Sequence, residues 1–161
     1  MISIGIDPGL SGAIVAIDDQ LRVVGCYDTP IVSHKSKRAF DAAGMVACLR
    51  DLTLDDSASC CVTIEQASAR PMQGATSGIK TGIGFGLWQG IVAALDLPYR
   101  IVRPQEWQSV LKGMAQLGKQ RAFVKASQLF PKMELRGPQG AIKDGRADAA
   151  CIAYYGIGGA K

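Results

Sequence analysis

The sequence is poor in the residues from which several common functional sites are built. It contains one histidine, His34, and none of its five cysteines belongs to a CxxC pair, so neither a zinc site nor a thiol redox motif is indicated. The GxxxxGK[ST] spacing of a phosphate-binding P-loop is also absent. We therefore expect no small-molecule cofactor.

Long apolar runs are lacking as well. No segment approaches the roughly 20 apolar residues of a transmembrane helix, and the N-terminal MISIGIDPG lacks the basic stretch of a signal peptide. The net charge of +4 permits a nucleic-acid partner without requiring one. We expect a soluble cytoplasmic protein without a membrane partner, and a single domain over residues 1–161, of which 48% are hydrophobic.

Hydrophobic periodicity predicts an α/β fold. Three short apolar runs separated by polar turns predict an antiparallel meander, and strands and helices alternate after it. The strands are predicted at residues 2–7, 13–17, 21–27, 60–65 and 98–102. The helices are predicted at residues 40–52, 82–95, 105–111, 119–130 and 143–155, with a glycine-rich loop at 68–86. This order implies one mixed five-stranded sheet, three antiparallel strands followed by parallel βα units, with helices on its faces.

Four carboxylates stand at positions that favour a metal site. Asp7 and Glu65 end two predicted strands, while Asp144 and Asp148 lie four apart on one face of the last predicted helix. Carboxylates from three distant segments suit Mg²⁺ or Mn²⁺, which prefer oxygen ligands. A pair of such ions hydrolyses phosphodiesters by activating water and stabilising the leaving oxygen.

Each acid also has a simpler interpretation. Asp7 precedes Pro-Gly and could be a turn residue that bonds its own backbone. Glu65 could be a surface residue at a strand end, and Asp144 could cap the last helix. Asp148 lies among alanines, where an acid without a partner would be costly. The conjunction of the four is therefore more informative than any one of them.

At these residues the sequence resembles the RuvC-like Holliday junction resolvases, including the phage and chloroplast branches. The matching segments are IGIDPGLSGAIVAID at 4–18, TIEQ at 63–66, GFGLWQG at 84–90, RPQEWQ at 103–108 and KDGRADAACIAYYG at 143–156. The resemblance implies a ribonuclease-H-like fold, a homodimer, and divalent-metal cleavage of four-way DNA junctions by paired nicks.

The resemblance also implies site residues. It assigns Asp7, Glu65, Asp144 and Asp148 as ligands of two Mg²⁺ or Mn²⁺ ions. In the bacterial family members the two helical acids are three apart, and Gly145 stands here where the earlier one would be. Ser68 stands where those proteins carry an aromatic residue that wedges at the junction.

Basic residues cluster in three places, around Lys35, around Lys119 and around Arg146. The resemblance raises Lys112 and Lys119 as catalytic residues that stabilise charge near the scissile phosphate. We expect phosphate contacts, the sequence-independent part of DNA binding, from Lys119, Arg121, Lys125 and Arg146. A solvated helix face is the alternative. Trp88 and Trp107 are predicted to lie in the core, and His34 in a surface loop.

Three other functions remain open from the sequence. A nuclease of the same fold could act on RNA or on other branched DNA, since the acids do not distinguish substrates. A non-catalytic DNA-binding module would be expected to have lost some of the acids. Phosphate-binding domains of the actin and sugar-kinase type begin similarly but need two lobes and a longer chain than 161 residues. The preferred cleavage sequence, the working metal, a helicase partner and a bacterial or phage origin are not indicated.

Overall fold

The described strands of the protein form two sheets. A computed structural model describes residues 1–35, 37–53, 59–67 and 75–158. The strands of the larger sheet are β1 (Ile2–Asp7), β2 (Ala13–Asp18), β3 (Val23–Asp28), β6 (Cys60–Glu65) and β7 (Tyr99–Val102), in the order β3-β2-β1-β6-β7. The smaller sheet is a hairpin of β4 (Ile31–His34) and β5 (Lys37–Phe40).

The helices described are α1 (Ala42–Thr53), α2 (Ala75–Ala94), α3 (Pro104–Trp107), α4 (Arg121–Leu129) and α5 (Asp144–Gly156). Two 3₁₀ segments, Gln108–Leu111 and Ala115–Gln120, lie between α3 and α4. No helix in the described ranges is long and apolar enough to cross a membrane.

The predicted mixed sheet is confirmed. β1 pairs antiparallel with β2, and β2 pairs antiparallel with β3. β6 lies parallel to β1 on its other side, and β7 lies parallel to β6. The carboxyl ends of β1, β6 and β7 therefore meet at one edge of the sheet, which we call the carboxyl edge.

Each face of the large sheet carries its own hydrophobic core. On one face Ile4 and Ile6, fully buried as their alternation predicts, pack with side chains of α1 and α2 such as Met45 and Trp88. On the other face, β2 residues such as Val15 pack with α4 and α5. Helices cover both faces, as the sequence predicts.

Helix α5 lies directly against β1, because both elements carry small residues at their contact. A Cβ atom on Gly5 would overlap the backbone of Ala149 and Ala153. The Ser3 hydroxyl donates a 2.7 Å hydrogen bond to the Ala153 carbonyl. Near the other end of β1, Gly145 packs on the turn after the strand. The start of α5 is thereby placed at the carboxyl edge.

The hairpin at Ile31–Phe40 is the main feature that the sequence pattern does not predict. His34, expected in a loop, belongs to β4, where it pairs with Lys37. The hairpin carries little apolar alternation, and tertiary hydrogen bonds hold its base: the Thr29 amide donates to the Gly12 carbonyl at 2.9 Å. Two-stranded hairpins are marginal on their own, so such contacts decide whether they form.

Four helix predictions also need correction. The predicted helix 40–52 begins at Ala42, because Phe40 ends β5. The second half of the predicted helix 105–111 is the 3₁₀ segment Gln108–Leu111. Helix α2 begins at Ala75 rather than at residue 82, so the later part of the predicted glycine-rich loop is helical. Its glycines disfavour a helix, by about 1 kcal/mol each relative to alanine, and a Cβ atom on Gly78 or Gly82 would meet no heavy atom of the described residues within 4 Å. The predicted helix 119–130 begins at Arg121, since residues 119 and 120 belong to the 3₁₀ segment, in which Gly118 takes φ 54° and ψ −125°.

Candidate active site at the carboxyl edge

Asp7 and Glu65 occupy equivalent positions on neighbouring parallel strands. Ile6 pairs with Ile64, and each acid is the next residue of its strand. Both side chains are partly exposed. Asp7 Oδ1 also accepts a 3.3 Å hydrogen bond from the Gly9 amide, so the expected turn contact is present beside the proposed functional role.

Trp107 fixes one oxygen of Glu65. Its indole Nε1 donates a 3.1 Å hydrogen bond to Glu65 Oε1, although the two residues are 42 positions apart. Pro104 begins α3 directly after β7, and Glu106 Oε2 accepts from the Arg103 amide at 2.7 Å, which closes the first turn. This short helix therefore places the Trp107 ring beside the end of the neighbouring strand.

Asp144 and Asp148 line a groove of about 440 Å³ that Trp107 also lines. Asp144 is the first residue of α5 and is exposed, whereas Asp148, one turn later, is partly buried. Burial raises the pKa of the nearby Cys151 thiol to about 12, and the Asp148 carboxylate adds to this rise. Cys151 is therefore a protonated core residue rather than a nucleophile.

The opposite wall of the groove is basic. Lys119 and Arg121 line it, together with Gly118, whose carbonyl accepts a 3.1 Å hydrogen bond from Arg121 Nε. Of the cations predicted to contact DNA or to act in catalysis, these two are the ones that lie in the groove with the α5 acids. The groove therefore combines carboxylates with cations, as a site for a phosphodiester and a metal requires.

The other predicted cations lie outside the lining of this groove. Lys112 is exposed at the end of the first 3₁₀ segment, and Lys125 Nζ lies 5.6 Å from the centroid of the Tyr154 ring. Arg146 pairs with Asp28, with its Nε 2.6 Å from Oδ1, and also donates to the Glu134 carbonyl at 2.8 Å. These contacts tie the start of α5 to the end of β3, a structural role for Arg146.

The spacing of the helical acids follows from the packing of α5. A Cβ atom at position 145 would overlap the Ser11 carbonyl oxygen and lie 2.7 Å from the Gly12 Cα atom. Only glycine fits there while α5 stays against the turn after β1. An acid three residues before Asp148 is therefore sterically excluded, whereas Asp144, four residues before it, lines the groove.

The donor chemistry suits a divalent cation, but the side chains do not surround a common point. Carboxylate oxygens are what Mg²⁺ and Mn²⁺ prefer, and the fold brings Asp7, Glu65 and the α5 acids to one edge. Among the described residues, however, no group of three or more His, Cys, Asp or Glu side chains is placed to hold a metal ion.

Trp107 is the residue of the site whose contact the sequence does not predict. It was predicted to lie in the core, and it is buried, with 2% of its surface exposed. A buried tryptophan usually finds an acceptor for its N–H group. This tendency predicts that Trp107 has a hydrogen-bond partner, but the sequence does not identify the partner as Glu65. Ser68, predicted to replace the wedging aromatic, lies outside the described residues.

Comparison with solved structures agrees with this architecture. A structure of Thermus thermophilus RuvC in complex with a Holliday junction substrate matches 99% of this chain and 97% of its own, with a TM-score of 0.64 and 15% identity. A second Thermus thermophilus RuvC structure matches 99% and 98%, with a TM-score of 0.62 and 18% identity. The chain has the fold of the RuvC resolvases.

The RuvC likeness confirms the predicted ribonuclease-H-like fold. At these identities it establishes the fold alone. No protein-family model matches the sequence, and no curated protein matches it either. The roles of individual residues therefore have to be argued from the site itself.

Proposed function

We propose that the protein is a divalent-metal-dependent endonuclease that resolves four-way DNA junctions by paired, symmetric nicks. The observation that carries the proposal is the meeting, at one edge of a RuvC-type fold, of two strand-end acids with the two acids of α5. The RuvC structure bound to a Holliday junction supports the choice of substrate. The cationic groove lining of Lys119 and Arg121 supports contact with phosphate.

In this proposal Asp7, Glu65, Asp144 and Asp148 hold Mg²⁺ or Mn²⁺, as two ions per site. Bound metal would supply an activated water and neutralise charge on the phosphate oxygens. The protein's own contribution is to orient Glu65 through Trp107, to fix α5 through Gly145, and to place Lys119 beside the phosphate. Lys112 and Lys125 remain proposed contacts on the rim.

A homodimer completes the proposal. A junction has strands related by two-fold symmetry, and an isologous dimer places two equivalent sites on them. Sedimentation of the purified protein at micromolar concentration is expected to give twice the 17.0 kDa chain mass. We expect the dimer to act in the cytoplasm of a bacterium or of a phage-infected cell.

The deciding experiment uses a labelled immobile four-way DNA junction, the matching linear duplex and a four-way RNA junction, each with Mg²⁺ or Mn²⁺. We expect symmetric nicks in the DNA junction alone. Asp148→Asn should abolish cutting, by at least about 100-fold, while leaving junction binding intact. Asp144→Asn should lose less, since Asp144 is exposed at the groove entrance.

Three results would replace the proposal. Binding without cutting under any metal would leave a non-catalytic junction-binding module. Equal cutting of the duplex would retain a nuclease and remove the junction specificity. Preferred cutting of the RNA junction would assign the same site to RNA processing.

A further inference from the structure

We propose that the β4–β5 hairpin is a DNA-binding arm that contacts backbone phosphates beside the carboxyl edge. The inference takes its ligand from the proposed function, but it concerns a surface outside the acidic groove. The segment 29–40, TPIVSHKSKRAF, contains three basic residues and no acid. Phosphate contact by Lys and Arg is the sequence-independent part of DNA binding.

The base of the hairpin is fixed to the turn that follows Asp7. The Thr29 amide donates to the Gly12 carbonyl at 2.9 Å, and Arg38 Nη2 donates to the Leu10 carbonyl at 2.8 Å. Both acceptors lie between Asp7 and the start of β2. The hairpin therefore rises beside the strand end that carries a proposed metal ligand.

Helix α2 holds the hairpin from a second side. A Cβ atom on Gly84 would overlap both the Phe40 ring and the Pro8 carbonyl oxygen. This helix, the last residue of β5 and the residue after Asp7 are thus in close contact. A hairpin fixed in this way can present a charge at a set distance from the site, which a mobile loop could not do.

The two lysines of the hairpin remain available to a ligand. Lys35 and Lys37 are exposed, and no ion pair of either is found in the described part of the chain. By contrast, Lys143 and Arg146 both pair with Asp28, with Lys143 Nζ 3.0 Å from Oδ2. The arm would thus contact phosphates on one side of the acids, and Lys119 and Arg121 would contact phosphates on the other side.

Exposed lysines on a short hairpin also discourage edge-to-edge association of strands, so the test must measure DNA binding directly. We would measure the affinity of the full chain for a fluorescent four-way DNA junction in EDTA, at several salt concentrations. The variant Lys35→Asn/Lys37→Gln removes both charges. Asparagine suits position 35, because Lys35 has φ 44°.

We expect the double variant to bind about tenfold more weakly near 100 mM salt, and its log–log salt slope to fall by about 1 to 2. Lys35→Arg/Lys37→Arg, which keeps both charges, should bind like the unsubstituted protein. Lys132→Gln is the control, because it removes a positive charge far from the hairpin. Lys132 and Leu21 line the same cleft. Leu21 lies in the β2–β3 turn, at the edge of the sheet opposite Asp7. The salt slope of Lys132→Gln should change by less than about 0.5.

An unchanged slope in the double variant, with its melting temperature preserved, would overturn the inference. A reduced affinity that the arginine variant shares would also overturn it, since charge would not then be the cause. The proposed function is tested separately, by junction cutting with the native chain. If the double variant loses salt-dependent binding but the native chain does not cut junctions, the DNA-binding arm is supported and the resolvase activity is not. If the native chain cuts junctions but the double variant binds as the native chain does, the resolvase activity is supported and the arm is not.

Discussion

Trp107 Nε1 donates a 3.1 Å hydrogen bond to Glu65 Oε1, which joins the short helix after β7 to the acid at the end of β6. The carboxylate of Glu65 is thus held by a ring that is itself buried in the core. A carboxylate has about four lone-pair positions, so this bond does not exclude metal coordination. It restricts the directions in which the remaining lone pairs point.

Trp107→Phe should therefore lower junction cutting by about 10–100-fold, the usual effect of removing a residue that orients a metal ligand. The half-saturating Mg²⁺ concentration should rise as well. Both are measured from initial rates on the labelled junction over a metal titration. Junction binding in EDTA should stay unchanged, because the indole contacts the acid and not the phosphates.

Trp88→Phe is the matched control for this substitution. Trp88 is fully buried, and its Nε1 has no hydrogen-bond partner among the described residues. Both variants lose core volume, so both should lower the free energy of unfolding by about 1–3 kcal/mol. An equal loss of cutting in the two variants would mean that packing, and not the bond to Glu65, is what matters.

The sequence predicts the sheet well because local patterns determine it. The alternation that buries Ile4 and Ile6 can be read within six residues, and β1 and β6 have the predicted bounds. The positions of Asp7 and Glu65 at the carboxyl edge follow from these strand bounds, since the carboxyl ends of parallel strands lie at the same edge of a sheet. The bond between Trp107 and Glu65 could not be read in this way, because it spans 42 positions.

The hairpin at Ile31–Phe40 depends on contacts between distant residues. Carbonyl groups of Leu10 and Gly12 hold it, and its own sequence gives no sign of these contacts. The early start of α2 is different. Gly78 and Gly82 favour a loop, and a Cβ atom on either would meet no heavy atom of the described residues within 4 Å, so packing at these glycines does not explain the helix.

Gly145→Ala should strongly destabilise the fold. The added methyl group would overlap the Ser11 carbonyl oxygen, and a backbone group cannot rotate away. We expect a loss of about 1–3 kcal/mol or more in the free energy of unfolding, measured by urea denaturation. Junction cutting should fall too, because α5 carries Asp148 and would have to move away from β1.

Gly90→Ala is the control within a helix. A Cβ atom on Gly90 would meet no heavy atom of the described residues within 4 Å, so alanine should stabilise α2 by up to about 1 kcal/mol. The two substitutions are chemically identical and are expected to have opposite signs. Similar stability in the two variants would show that position 145 is not closely packed.

Asp28 gives the stability of the protein a defined dependence on pH. Burial by itself would raise the pKa of this carboxyl, but hydrogen bonds from Arg146 and Lys143 outweigh it, and the pKa is lowered. Folding therefore favours the ionised form. The resulting stability is present above the unfolded-state pKa of about 3.9 and is lost as the pH falls through the lower folded-state value.

Asp28→Asn should accordingly cost about 0.5–1 kcal/mol at pH 7, a modest amount because the Asp28 side chain is 43% exposed and its ion pairs are screened by water. The difference from the unsubstituted protein should shrink as urea denaturation is repeated below about pH 4, where the unfolded chain takes up a proton at Asp28, and should vanish once the pH is below the lowered folded-state pKa. Asp19→Asn, at an exposed acid 3.7 Å from the N-terminal amine, should show little difference at any pH. The contrary outcome is that the free energy of unfolding of Asp28→Asn differs from that of the unsubstituted protein by the same amount from pH 7 to pH 3. Asp28 would then tie β3 to α5 through hydrogen-bond geometry alone, and its charge would have no part in placing the acids of α5.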